Sequence, residues 1–350
     1  PTWEGSPYFN WVNRNKRGIT LNLTAPRGVE AVKTMAREAD VLIENYTPRV
    51  MENFGLGYEV LREINPSLVM ISLSGFGATT SWRDYVAFGM STEQMSGVCH
   101  LTGYENDEPL FTGMTGGDLF SGVMGANALL AALHERKRTG TGQHIDFSQI
   151  EACNLYLGDA MTGWSMTHTD PGRVGNRHGA YAPQGIYPCR DNYFLGITIK
   201  NDGQWDALAA KIGATGLAGL PLRERRARHD ELEAAISAWT ASGEAVELMH
   251  ELQAAGIPAG AVLKGPDLLA DPQLEARHGF LAQDRPGVGV KHYPNQPYRF
   301  RNAGPALEER APLLGEHTSE VLTDLAGLSD DDIVELVIDD VVGTIPMAAR

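Results

Sequence analysis

Asp118 follows two glycines and heads a long run of small and apolar residues, GGDLFSGVMGANALLAALHERKR, whose spacing predicts a helix from Gly116 to about Arg138. A carboxylate at a helix start sits among backbone N–H groups that lack intrahelical partners, near the positive end of the helix dipole. That setting favours the ionised form and supplies amide donors. Such a carboxylate can attack a thioester carbonyl, while the glycines admit a substrate close to the backbone and leave amides free for an oxyanion. The same Asp also serves as an ordinary N-cap worth ~1 kcal/mol, and on local sequence the cap is the commoner use. Two further groups invite the same scrutiny. Asn45 and Tyr46 follow the short apolar run VLIEN, and His178 lies in the loop THTDPGRVGNRHGAYAPQG.

The elements that must position these residues are legible in outline. PRGVEAVKTMAREA (26–39) has helical spacing after an early proline, and VLIEN (41–45) is of strand length. YEVLREINPS and the buried-type run LVMISLSGFG from Leu68 repeat the theme, which is the pattern of βαβ units over a parallel sheet. Ligands of such sheets sit beyond the carboxyl ends of the strands, where Asn45, Tyr46 and the loop Ser74 to Gly77 fall. Gly122, Gly125, Ala126 and Ala131 would let another backbone approach the long helix closely, and HIDFS after it reads as a strand. One helix is expected over about 148–166, strands at GIYPC and NYFLGITI, charged helices over 203–255, short strands beyond GIPAGAVLKGPDLLADPQL, and helices in SEVLTDLAGLSDDDIVELV.

Composition narrows the class. The 350 residues carry a formal net charge of −15 at pH 7, which disfavours general nucleic-acid binding and an anionic membrane surface, since both require a basic field. Cys99, Cys153 and Cys189 are widely spaced with no CxxC, so neither a disulfide framework nor a thiolate metal site is indicated, and a reducing cytoplasm fits best. No continuous run of ~18 apolar residues suggests a membrane span. The basic cluster Arg14, Lys16 and Arg17, and Arg49 after ENYTP, are candidates for phosphate contact or for plain solvation.

The run from Gly116 to Ser148 resembles the signature of family III CoA-transferases, the group containing formyl-CoA and carnitine CoA-transferases. NRNKRGITLNL, ADVLIENYTPRVMENFGLGYEVLREINP, SLSGFG, GIPAGAVL with DPQL, and APLLGEHT resemble further family motifs in the family's order, across nearly the whole chain. The resemblance implies an α/β fold: a Rossmann-like large domain built from both chain ends (1–185 and 286–350), a smaller α+β domain (186–285), and an interlocked dimer. It implies CoA transfer through an aspartyl anhydride and an aspartyl-CoA thioester, with Asp118 as nucleophile, no metal, no permanently bound cofactor, and a coenzyme A thioester as substrate. The partners implied are an acyl-CoA, a small carboxylic acid and a second subunit, identical or related. Leu21, Asn22, Leu23, Thr24, Asn45, Tyr46, Thr47 and Arg49 match CoA-contacting segments; Phe88, Gly117, His178, Gly179 and Ala180 match substrate or lid positions.

Three departures from the family pattern matter. Asn53 stands where relatives often have arginine. Arg177, His178, Gly179 and Ala180 replace a glycine-rich mobile loop, which implies a stiffer and more polar lid. The sequence starts without the βα unit that family members carry before NRNKR, so the resemblance implies either a missing start or a segment supplied by another polypeptide. Within the superfamily, α-methylacyl-CoA racemases need an acid/base pair and carry a His where Phe88 stands, which disfavours racemisation. A non-catalytic acyl-CoA-binding subunit is the rival of another class. Phe88, Met90, Met114 and Tyr181 suggest an acyl group larger than formate or oxalate.

Overall fold

The computed structural model describes residues 2–304 and 307–346. The chain divides into two compact units. The first comprises Pro1–Val98, Phe111–Met161 and Pro272–Arg350, and the second Cys99–Leu110 and Thr162–Asp271.

The first unit is built on a parallel sheet in the order β1 (Val41–Glu44), β2 (Val69–Ser74), β3 (His144–Ser148), with Ile43 opposite Ile71 and Ile71 opposite Ile145. The central strand β2, VMISLS, is buried at every position but Leu73, which is why it reads as an unbroken apolar run. Helix α1 (Pro26–Ala36) starts at its proline and buries Ala31 and Ala36. Ala31 joins Leu322, Ile333, Leu336, Val341 and Val342 in one apolar cluster, so residues from the two ends of the chain share a core. Helices α2 (Gly89–Ser96), α3 (Gly116–Thr139) and α4 (Gln149–Tyr156) pack together, and α3 lies on β2.

By length and composition α3 is long and apolar enough to cross a membrane, although its apolar residues do not form one unbroken run. Its narrow inner face of Gly117, Ser121, Gly125 and Ala132 is buried against the sheet and the neighbouring helices. Of the small residues expected to admit close packing, Gly125 does so: a Cβ there would stand 2.7 Å from Leu73 Cδ2. Gly122, Ala126 and Ala131 instead lie exposed on the opposite side. The helix expected over 148–166 is broken at Leu157 into α4 and Gly158–Thr167.

Long-range polar ties close the first unit. The Thr20 hydroxyl donates to Gly343 O at 2.6 Å, and Asn22 N donates to Val341 O at 2.8 Å. Arg285, 1% exposed in the strand Phe280–Arg285, donates to the Glu4 carboxylate and carbonyl, both at 2.5 Å, and to Pro312 O at 2.9 Å.

The second unit holds an antiparallel sheet in the order β4 (Gln184–Pro188), β5 (Phe194–Thr198), β6 (Ala259–Val262), covered by amphipathic helices. Leu195, Ile197, Trp205, Leu208, Leu232, Ile236 and Leu252 form its core. It starts earlier than the boundary expected at 186. Gly175 N donates to Gly103 O at 2.9 Å and Arg173 donates to His100 O at 3.0 Å, binding the segment after Thr162 to residues 99–110. It ends at Asp271 because the hairpin Phe280–Arg285/Gly289–Pro294 is committed to the first unit through Arg285.

Arg285→Ala is expected to destabilise the fold by about 3–5 kcal/mol, since it strands a half-buried carboxylate and several carbonyls. Arg27→Ala, which breaks exposed pairs with Glu335 and Asp339, should cost less than about 1 kcal/mol. Urea midpoints at constant m-value measure both.

Candidate active site

Asp118 is the third residue of α3, not its cap. The cap position belongs to Thr115, in the left-handed region at φ 47°, with no side-chain hydrogen bond to the helix. Asp118 N donates to Thr115 O at 3.0 Å, so the main chain of the turn is satisfied locally and its carboxylate is left for other use. That carboxylate is half-buried and turned towards the start of α2, where the Gly89 N–H faces it. Glycine is required at 89 by this approach: a Cβ there would stand 2.5 Å from Asp118 Oδ2. Gly117 is required by packing, because a Cβ would meet Thr92 Oγ1 at 2.3 Å and Gly89 O at 2.9 Å.

The amides at the head of α3 are not free for an oxyanion, contrary to expectation. They converge on Glu93, which α2 carries into the interior at 1% exposure. Gly117 N donates to Glu93 Oε1 at 3.3 Å, the Gly116 N–H bonds the same carboxylate, and Thr112 donates through its hydroxyl at 2.9 Å and its N–H at 3.0 Å. Burial raises the Glu93 pKa, but these donors outweigh it and hold the carboxyl below the ordinary glutamate range. Asp118 goes the other way. Burial pushes its pKa up, the Gly89 N–H opposes this, and the Glu93 charge adds to the rise. Its place at the helix start thus does not keep Asp118 unusually acidic; burial and the Glu93 charge make it a more basic carboxylate.

Beside this constellation lies a mainly apolar cavity of about 300 Å³, lined by Met114, Leu119, Phe120, Cys153 and Tyr156 with Glu93 and Gly117 at its edge. Phe88, the residue before α2, is 73% exposed. Phe88, Gly117 and Asp118 are therefore gathered where α2 meets α3.

The segments expected from the sequence to contact CoA fall into two kinds. Leu21 and Leu23 pack against the cores of the first unit, while the Asn22 carboxamide oxygen accepts from Thr24 N–H at 3.0 Å and its hydroxyl at 2.7 Å, making a local turn. Asn45 and Tyr46 are exposed beyond the carboxyl end of β1, the place a parallel sheet reserves for ligands. Thr47 is half-buried, and the Arg49 guanidinium pairs with Asp84 at 3.2 Å. The basic cluster is dispersed: Arg14 is buried against Pro294 O and the Tyr293 ring, Lys16 bonds Val12 O and Asn13, and Arg17 pairs with Glu320.

The lid positions belong to the second unit. His178 Nδ1 accepts from Ala180 N–H at 3.0 Å and its ring stacks on Tyr181 with centroids 4.8 Å apart; Gly179 and Ala180 are exposed. Arg177 is pinned to Asp230 and to Glu233, the latter at 2.8 Å. Sequence reasoning missed Glu93 and Gly89. In the mostly polar run GMSTEQMS nothing sets either residue apart.

Residues 1–318 match the family model described as CoA-transferase family III. The chain is 33% identical to succinyl-CoA–D-citramalate CoA-transferase of Chloroflexus aurantiacus, over 92% of this chain and 81% of that one. It is 35% identical to acetyl-CoA:oxalate CoA-transferase of Acetobacter aceti, over 88% and 81% respectively. A crystal structure of a CaiB/BaiF family protein from Brucella suis superposes with a TM-score of 0.85 at 33% identity, covering 91% of this chain and 84% of that one. This chain belongs to CoA-transferase family III, and it is an enzyme that moves CoA from an acyl-CoA to a carboxylic acid.

Two outcomes follow from the α2–α3 contact. Gly89→Ala displaces only the tip of a side chain, so the protein should fold while transfer falls by on the order of 10²-fold, from a misplaced carboxylate. A carboxyl whose folded pKa is raised contributes full stability below its unfolded pKa and loses it as pH rises through the folded one. Asp118→Asn should therefore melt higher than wild type at pH 7, with the gap closing below about pH 4.

Proposed function

We propose that this CoA-transferase works by covalent catalysis at Asp118. The observation that carries this reading is a half-buried carboxylate, held by one backbone N–H at Gly89 and made more basic by burial and by Glu93, beside an apolar cavity. The Asp118 carboxylate attacks the thioester carbonyl carbon, the C–S bond breaks, and CoA leaves as thiolate from a mixed anhydride. The thiolate then attacks the Asp118 carbonyl, expelling the donor as its carboxylate and leaving an aspartyl-CoA thioester. The acceptor carboxylate repeats the sequence in reverse, takes the CoA and restores Asp118. No proton is gained or lost overall, so the chemistry asks only for positioning and charge stabilisation.

CoA is placed along the carboxyl edge of β1, with Asn45, Tyr46 and Thr47 as its contacts and Leu21 to Thr24 as the turn behind them. Arg49 serves phosphate only by exchanging Asp84 for it. Phe88, Gly117 and the segment His178, Gly179 and Ala180 stay assigned to substrate and lid, and Phe88 in place of a base favours transfer over racemisation. The named relatives act on succinyl-CoA with D-citramalate and on acetyl-CoA with oxalate, so small di- and hydroxycarboxylates are the first acceptors to try here. The subunits are proposed to pair as an interlocked dimer. In support, Val123 and Leu130 on α3 and Leu155 and Tyr156 on α4 are each about two-thirds exposed, an apolar stripe of the kind a second chain covers.

Incubation with succinyl-CoA or acetyl-CoA followed by hydroxylamine or borohydride should label Asp118, mapped by peptide mass spectrometry. Asp118→Ala should lose transfer by on the order of 10⁴-fold or more. Transfer surviving in that variant, or label on another residue, would refute the covalent reading. Because the Asp118 pKa is raised and attack needs the ionised form, the acid limb of kcat/KM should lie above the ordinary aspartate range.

A further inference from the structure

We propose that Glu93 is a positioning residue for the transfer reaction: its buried carboxylate fixes the turn that presents Asp118 and fixes a negative charge behind it. The inference rests on Asp118 being the nucleophile. Its independent basis is geometric. Glu93 is buried deeper than Asp118, forms no ion pair among the described residues, and is satisfied by main-chain and hydroxyl donors alone. Those donors are not scattered. Gly116 and Gly117 are the first two residues of α3, and Thr112 begins the turn that enters it, so one carboxylate gathers both ends of the segment Thr112–Gly117.

A buried carboxylate is a costly way to hold a turn, since removing an ion from water is far dearer than burying an amide of equal shape. Glutamine at this position would leave the Thr112 N–H facing an amide nitrogen, donor to donor, whereas both carboxylate oxygens accept. The charge also has a second consequence. The titratable groups facing Glu93 from the packed elements are Asp118 on α3 and Cys153 on α4; burial raises the thiol's pKa, so it stays neutral, and both acidic neighbours add to that rise. Two carboxylates close together disfavour ionisation of the more weakly solvated one, which is Asp118. Acylation of Asp118 removes its charge and relieves that repulsion, so Glu93 opposes the resting ion more than the anhydride or the aspartyl thioester. The residue thus favours the covalent states without touching substrate.

The test uses the full-length enzyme, first confirmed by Asp118 labelling, so that loss of the nucleophile reading is seen separately as absence of that label. Glu93→Gln is expected to lower kcat by on the order of 10²-fold, to leave KM for the CoA thioester within about twofold, and to shift the acid limb of kcat/KM to lower pH, because the like charge is gone. Glu93→Asp keeps the charge but is one methylene short, so kcat should fall while the acid limb stays in place. A wild-type kcat in Glu93→Gln overturns the proposal. So does a fall in kcat that merely tracks melting temperature with an unmoved acid limb, which marks a purely structural residue. Should neither Glu93 variant fold, Thr112→Val decides. It removes one hydroxyl donor from an exposed residue and is expected to cost kcat several-fold at unchanged KM, and no loss in it refutes the positioning role.

Discussion

A charge taken out of water without an opposite charge beside it must be surrounded by donors, and that requirement at Glu93 organises the core of the first unit around Asp118. Four donors from Thr112, Gly116 and Gly117 meet its two oxygens. Their convergence forces α2 and α3 so close together that only glycine fits at 89 and 117. Once the helices are that close, the Gly89 N–H has one place to go, the Asp118 carboxylate. Sheet, helices and the Asp118 carboxylate are then linked in a short series: β2 seats α3 through Gly125, α3 seats α2 through Gly117, and α2 returns a donor to α3 through Gly89. The Asp118 carboxylate lies at the end of that series and takes its orientation from it.

This arrangement separates two roles that a helix start usually combines. The N-terminal amides of α3 serve the Glu93 carboxylate, and the Asp118 carboxylate receives an N–H from a neighbouring helix. Asp118 is therefore less well solvated by the protein than its position would suggest, and more basic for it. Any oxyanion formed in the proposed covalent mechanism must find donors other than the Gly116 and Gly117 amides.

Much of the fold was readable because it depends on local patterns. The unbroken apolar run at β2 and the proline start of α1 each have one good structural solution. In the sequence, the proposal of Asp118 as nucleophile rests only on the surrounding family motifs, since an Asp behind two glycines is more often a cap. What escaped were features that depend on pairing across distance. Glu93 looks like any helical glutamate until α3 is packed against it, and Arg14 and Arg17 look like free cations until Pro294 and Glu320 arrive from the other end of the chain. The edge of the second unit was misjudged for the same reason, because residues 99–110 join it through contacts that no sequence period announces.

The ties between Thr20 and Gly343, Asn22 and Val341, and Arg285 and Glu4 join residues about 280 to 320 positions apart. On the ribosome, the apolar faces of α1 and of the early sheet are made long before Leu322, Leu336 and Val341 exist to cover them. The second unit draws nearly all its residues from one central stretch and can close as soon as that stretch emerges. The second unit is therefore expected to close before the first, whose core needs Leu322, Leu336 and Val341. That order would leave the half-built sheet exposed until Leu322, Leu336 and Val341 are made.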